Sequence, residues 1–188
     1  MKTQRLAIAF ISTALALSAT SAVSHAVVTP KPVKEKGSFI GTFVGVPFSF
    51  DGAGQADLVT SLGRDNLGGP FMSQSISEFS DTSETCSLPD GKPGELFNLV
   101  DAISEANYSG TLSQLVSYST SGSACLSLTT GFEVGSISSN VTGGSGKMTN
   151  AKGTLVSEFV TQILSALTAP GSGLFGTTLG KISGSVTR

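Results

Sequence analysis

The chain has no tryptophan, one histidine, two cysteines and only 13% charged residues among its 188. Each shortage excludes something. The lone histidine, His25, lies in an N-terminal segment that reads as a signal peptide: Met1-Lys-Thr-Gln-Arg5 is positive, Leu6 to Leu17 is mostly apolar, and small residues lead into Ser24-His25-Ala26. Cleavage is expected after Ala26, with Ser24 as the alternative. The mature chain then has no imidazole. Ser-His-Asp and Cys-His catalysis, and any metal site that needs a histidine, are excluded on that reading. The apolar run is shorter than the roughly 20 residues that cross a bilayer, so no membrane span is expected in the mature chain. No cysteine stands near the cut, which excludes a lipid-anchored lipoprotein. A secreted or periplasmic location follows.

Cationic charge is also scarce. Eleven Lys and Arg oppose thirteen Asp and Glu, and cleavage would take Lys2 and Arg5 away. A mildly acidic chain without basic clusters argues against a nucleic-acid partner. Cys86 and Cys125, carried to an oxidising compartment, have only each other and are expected to pair. The competing reading, two separate reactive thiols, lacks both a histidine and a Cys-x-x-Cys spacing to activate a thiolate.

What the chain has in plenty is glycine, 23 residues, set among short β-prone runs. Residues 27–36, with Pro30, Pro32 and almost no apolar periodicity, read as a flexible leader. A single domain is expected over 37–188. Strand candidates are 39–46, 56–62, 71–79, 96–103, 108–118, 125–128, 132–141, 154–163 and 174–186. Turn signals between them include Asp51-Gly52, Asn66-Leu-Gly-Gly69, Pro89-Asp-Gly91, Ser121-Gly122, Gly143-Gly144 and Pro170-Gly171. Many short strands with turn chemistry between them mean a sandwich or a barrel. Residues 154–169 also fit helical spacing, so one short helix there is the alternative to a strand. A transmembrane barrel would carry aromatic girdles, and this chain offers only Tyr108 and Tyr118 beside its phenylalanines.

The segment Thr142-Gly-Gly-Ser-Gly-Lys-Met-Thr-Asn-Ala-Lys-Gly-Thr154 resembles the "TGGTGRF-A-ATG" hairpin of bacterial secreted proteins with an allene-oxide-cyclase-like or dirigent-like β-barrel, with Lys147-Met148 in place of Arg-Phe. Blocks in a similar order run from Leu67-Gly-Gly-Pro-Phe71 through Cys86-Ser-Leu-Pro-Asp-Gly91 and Ser121-Gly-Ser-Ala-Cys125 to Gly176-Thr-Thr-Leu-Gly-Lys-Ile-Ser-Gly184. The resemblance implies an all-β fold: one antiparallel, calycin-type β-barrel of about eight strands. Lipocalins are the nearest competitors, and their Gly-x-Trp is absent. The plant members shape a reactive guest inside the barrel, but their acidic, aromatic and asparagine groups do not map onto this sequence, so no catalytic residue is carried over.

Four residues are candidates for lining a lumen. Glu78 follows the alternating row Ser73-x-Ser75-x-Ser77, where desolvation would raise its pKa toward acid or base work; a solvated strand carboxylate is the plainer reading. Asn98, Tyr108 and Tyr118 could line a binding cavity, against the plainer reading that strand aromatics fill core. Asp81, Glu84 and Asp90 match no calcium-loop spacing, and no metal or cofactor is called for. The glycines before Lys147 lack the spacing of a phosphate loop. The expected function is non-catalytic binding of a small apolar ligand in the barrel cavity. The alternatives are a cyclase or isomerase, or a surface or assembly protein with a filled barrel; a homo-oligomer is left open.

Overall fold

The computed structural model describes residues 31–164 and 174–188. Eight antiparallel strands follow one another and close into a barrel: β1 (Val33–Val46), β2 (Ala56–Asp65), β3 (Gly69–Ser87), β4 (Pro93–Tyr108), β5 (Ser113–Leu126), β6 (Phe132–Ser145), β7 (Lys152–Ile163) and β8 (Phe175–Thr187). Each strand pairs with its neighbour in sequence, and β8 closes on β1 from Val33↔Val186 to Val44↔Phe175. Closure gives every described strand a partner on both sides.

Three expectations are corrected. The chain is already in strand at Val33, so the last four residues of the supposed leader belong to β1. Residues 108–118 are not one strand; Tyr108 ends β4 and β5 starts at Ser113. Ser121-Gly122 is no turn but lies inside β5, opposite Ser138 and Ile137. The helical alternative for 154–169 gives way to strand as far as Ile163, and its remainder, like the turn at Pro170-Gly171, falls outside the described residues. A 3-10 turn, Gly146–Met148, lies between β6 and β7.

Glycine abundance has a packing cause as well as a turn cause. Inward glycines lie beside inward phenylalanines on neighbouring strands. A Cβ on Gly180 would fall 2.4 Å from the Phe39 ring, one on Gly176 2.5 Å from Phe43, and one on Gly135 2.5 Å from Phe159. Interior alternation of small and large residues is how a narrow barrel fits its side chains.

One end of the barrel is shut. Leu67, Phe71, Tyr108, Leu115, Val141, Met148, Ala151, Leu155 and Val186 form the buried core there, under the β2–β3, β4–β5 and β6–β7 turns. Met148 and Ala151 are completely buried, so the 3-10 turn plugs this floor. At the opposite end the paired β3 and β4 run on past the end of the β2 pairing at Glu78. The Cys86–Cys125 disulfide joins β3 to β5 there and passes over β4, where a Cβ on Gly94 would meet Cys125 Sγ at 2.8 Å.

Candidate functional site

Side chains alternate across a strand, and the inward ones enclose a partly open cavity of about 150 Å³. Its wall combines Phe39, Phe43, Phe71, Phe79 and Phe159 with serines from β2 to β7, among them Ser61, Ser73, Ser75, Ser104, Ser117 and Ser157. Several of the hydroxyls have partners in the wall: Ser61 and Ser73 lie 2.6 Å apart, and Thr161 donates to Thr178 at 3.3 Å. Among the described lining residues there is no lysine, arginine or histidine.

Two carboxyl groups face the lumen toward its far end. Asp57 on β2 sits in register with Gly45 and Ser77, and Glu133 on β6 with Leu126 and Thr161. Desolvation pushes Asp57 up to about 6. Glu133 rises to about 7, first through desolvation and then through the charge of Asp57, against a hydrogen bond from Thr161 that favours ionisation. Both therefore exchange protons close to neutral pH, a property of groups suited to acid–base work.

The floor holds a second polar group. Tyr108 donates to Asp65 Oδ2 at 2.5 Å, while Leu67 N and Gly68 N donate to Asp65 Oδ1 at 3.0 and 2.9 Å. Glu35, 2% exposed, lies against the same aspartate. Desolvation, then the charge of Asp65 and a hydrogen bond to it, hold Glu35 at about 8, with Arg188 pulling the other way. Burial and the same carboxylate push the Tyr108 hydroxyl upward. Glu35 Oε2 has no hydrogen-bond partner. Arg188 also ties the chain end to the floor by donating to the Leu67 carbonyl.

Of the four lumen candidates read from sequence, the structure brings only Tyr108 to the cavity. Glu78 is buried, 1% exposed, but on the outside of β3. There it accepts from Ser49 Oγ at 2.8 Å and from Phe50 N at 2.5 Å, which pins the 47–55 loop to the barrel wall. Asn98 is exposed on β4, and Tyr118 is 46% exposed on the outer face of β5. Asp81 accepts from Ser83 N within a β3 bulge, and Asp90 pairs with Lys92 in the β3–β4 turn.

The lumen carboxyls Asp57 and Glu133 went unread in the sequence. A signal existed for both. Asp57-x-Val59-x-Ser61 and Glu133-x-Gly135-x-Ile137 keep strict alternation with residues that end up inside. Comparison of the chain with protein-family models and with curated proteins gives no match to either.

Proposed function

We propose that the protein is an exported β-barrel that binds one small, largely apolar molecule in its lumen without converting it. The observation that carries this reading is the cavity itself, a partly open space of about 150 Å³ walled by phenylalanine rings and serine hydroxyls above a sealed floor. Apolar walls with a few placed polar groups are the usual make-up of a ligand site. A dry cavity of about this size holds a benzene-sized molecule, so the guest is about one ring in size. The space left between the side chains speaks against a filled barrel that only presents its outside. The resemblance to allene-oxide-cyclase-like and dirigent-like barrels fits the same reading, as does the N-terminal segment, which reads as a cleaved signal peptide.

A cyclase or isomerase is the second reading, favoured by Asp57 and Glu133. Both face the lumen and both change protonation near neutral pH, so a guest held against the aromatic wall would have a proton acceptor and a proton donor within one cavity.

Indole is a suitable first probe, because the chain has no tryptophan to mask its emission. Titration is expected to give a saturable blue shift with one site per chain. Ser104→Leu, which fills the middle of the lumen, should abolish it. An indole spectrum that does not move, or one that shifts equally with the Ser104→Leu variant, would sink the lumen-binding reading.

A further inference from the structure

The outer wall of the barrel is not uniform. Across β8, β1, β2 and β3, Leu179, Ile40, Leu62 and Met72 stand directly opposite one another in register, and they are 55, 65, 63 and 47% exposed. Four residues along the strands, toward the far end, a second in-register row runs Phe175, Val44, Leu58 and Ile76. Between the two lies a polar row of Thr177, Thr42, Thr60 and Gln74. The outward positions in the middle of β6 are instead polar, with Ser136, Ser138 and Asn140. Isolated exposed leucines need no explanation, but a row of four exposed apolar side chains in register, with a second apolar row beside it, does.

We infer that this face, centred on the threonine row of β1 and β2, is an interface that joins two copies of the chain about a two-fold axis. With strands about 4.8 Å apart and a rise of about 3.4 Å per residue, the three outward rows on four strands cover roughly 400 Å², about half of the roughly 800 Å² that a standard interface buries per partner, so the contact extends onto the charged positions that flank the rows. The arrangement is also self-complementary, as a two-fold contact requires. Rotation about an axis through the threonine row lays the lower apolar row of one copy on the upper row of the other and brings the threonines together.

Charge agrees with that rotation. Beyond the Ile40 row stand exposed Lys181 and Arg64, both in register with Ser38. Beyond the Val44 row lies the 47–55 loop, which Glu78 pins to the outside of β3 and which carries exposed Asp51. The two-fold places the cations of each copy toward the aspartate of the other, whereas a parallel contact would set like against like. Opposed potentials of this kind fix register more than they add affinity.

Sedimentation velocity of protein produced from the full chain is the test. A mass of two chains is expected. Ile40→Lys with Leu62→Lys, two exposed positions, should halve it with an unchanged β-type circular dichroism spectrum, and Ser138→Lys on the polar face should leave it whole. Thr42→Cys gives a reading that does not depend on the lysine variant folding: a cysteine beside the axis should cross-link to its own copy under mild oxidation, and Ser138→Cys should not. A monomeric wild type, or a dimer that neither the lysine pair nor the Thr42 cross-link touches, overturns the proposal. Flotation of such a monomer with phosphatidylcholine vesicles would assign the face to lipid instead.

Discussion

Burial disfavours the charged form of a carboxyl group, and three carboxyls of this chain hold their protons chiefly for that reason. Glu35 stands at about 8, Glu133 at about 7 and Asp57 at about 6, against ordinary values of 4.5, 4.5 and 3.8. A folded-state pKa above the unfolded one means that the folded chain binds more protons in between. The stabilisation is therefore complete below about pH 4 and is lost as pH rises toward 8. The melting temperature is expected to fall from pH 5.5 to pH 8.5. Glu35→Gln keeps a donor toward Asp65 and removes the charge, so at pH 8.5 it should stabilise by on the order of 1 kcal/mol and flatten the upper part of the profile. The groups facing Glu35 are Asp65, Tyr108 and Arg188. A flat profile in the wild type would count against the buried carboxyls.

The residue-level errors of reading have one origin. Ser73, Ser75 and Ser77 do face the lumen, and a strand has period two. Glu78 differs in parity from that row and had to point outward. Tyr118 alternates with inward Ser117 and shares a parity with Tyr108 only if 108–118 is one strand, which it is not. Asn98 fails for a less legible reason, since the register shift at Glu78/Phe79 leaves Val100 unpaired on β4 between it and inward Ala102. A bulge inserts a residue and reverses parity beyond it, and nothing local in a serine-rich strand announces it.

At the level of elements, the 141–154 hairpin shows both what glycine spacing reveals and what it hides. The turn itself was legible. Gly143 and Gly146 adopt φ of 142° and 59°, values that favour glycine. Gly144 is constrained differently: a Cβ there would stand 1.8 Å from the Gln114 carbonyl oxygen on β5. Gly144→Val should therefore push β5 from β6 and cost on the order of 1 to 3 kcal/mol. The Lys147 side chain is exposed and only its backbone N is engaged, donating to Ser113 Oγ at 3.0 Å. Lys147→Ala should change stability by no more than about 0.5 kcal/mol. Urea melts of the two variants decide between a packed turn and a loose linker, and equal losses would mean a linker. Strand existence was readable from β-branched and aromatic runs. Strand ends were not, because proline and charge at 30–36 mimic a loose leader while backbone pairing to β8 takes Val33 to Lys36 into the barrel.

For the molecule as a whole, the all-β class and the closed ring of eight antiparallel strands follow from many short strands with turns between them. The pairing of Cys86 with Cys125 was equally legible, because neither had another partner. Closing a loop of that length stabilises by about 4 kcal/mol in the chain-entropy picture, and it braces the far end, where the core cluster is absent. Which inward residues would leave a cavity was not legible. That depends on rings lying over glycines of adjacent strands, a relation set by register rather than by any segment alone. The lumen is the property on which the functional reading depends. Native mass spectrometry of protein purified from its own source tests it most directly. The expected result is a chain carrying one small molecule, released when the protein is denatured and missing from the Ser104→Leu variant. A bare chain mass for the wild type, in preparations that also leave indole emission unshifted, would contradict it.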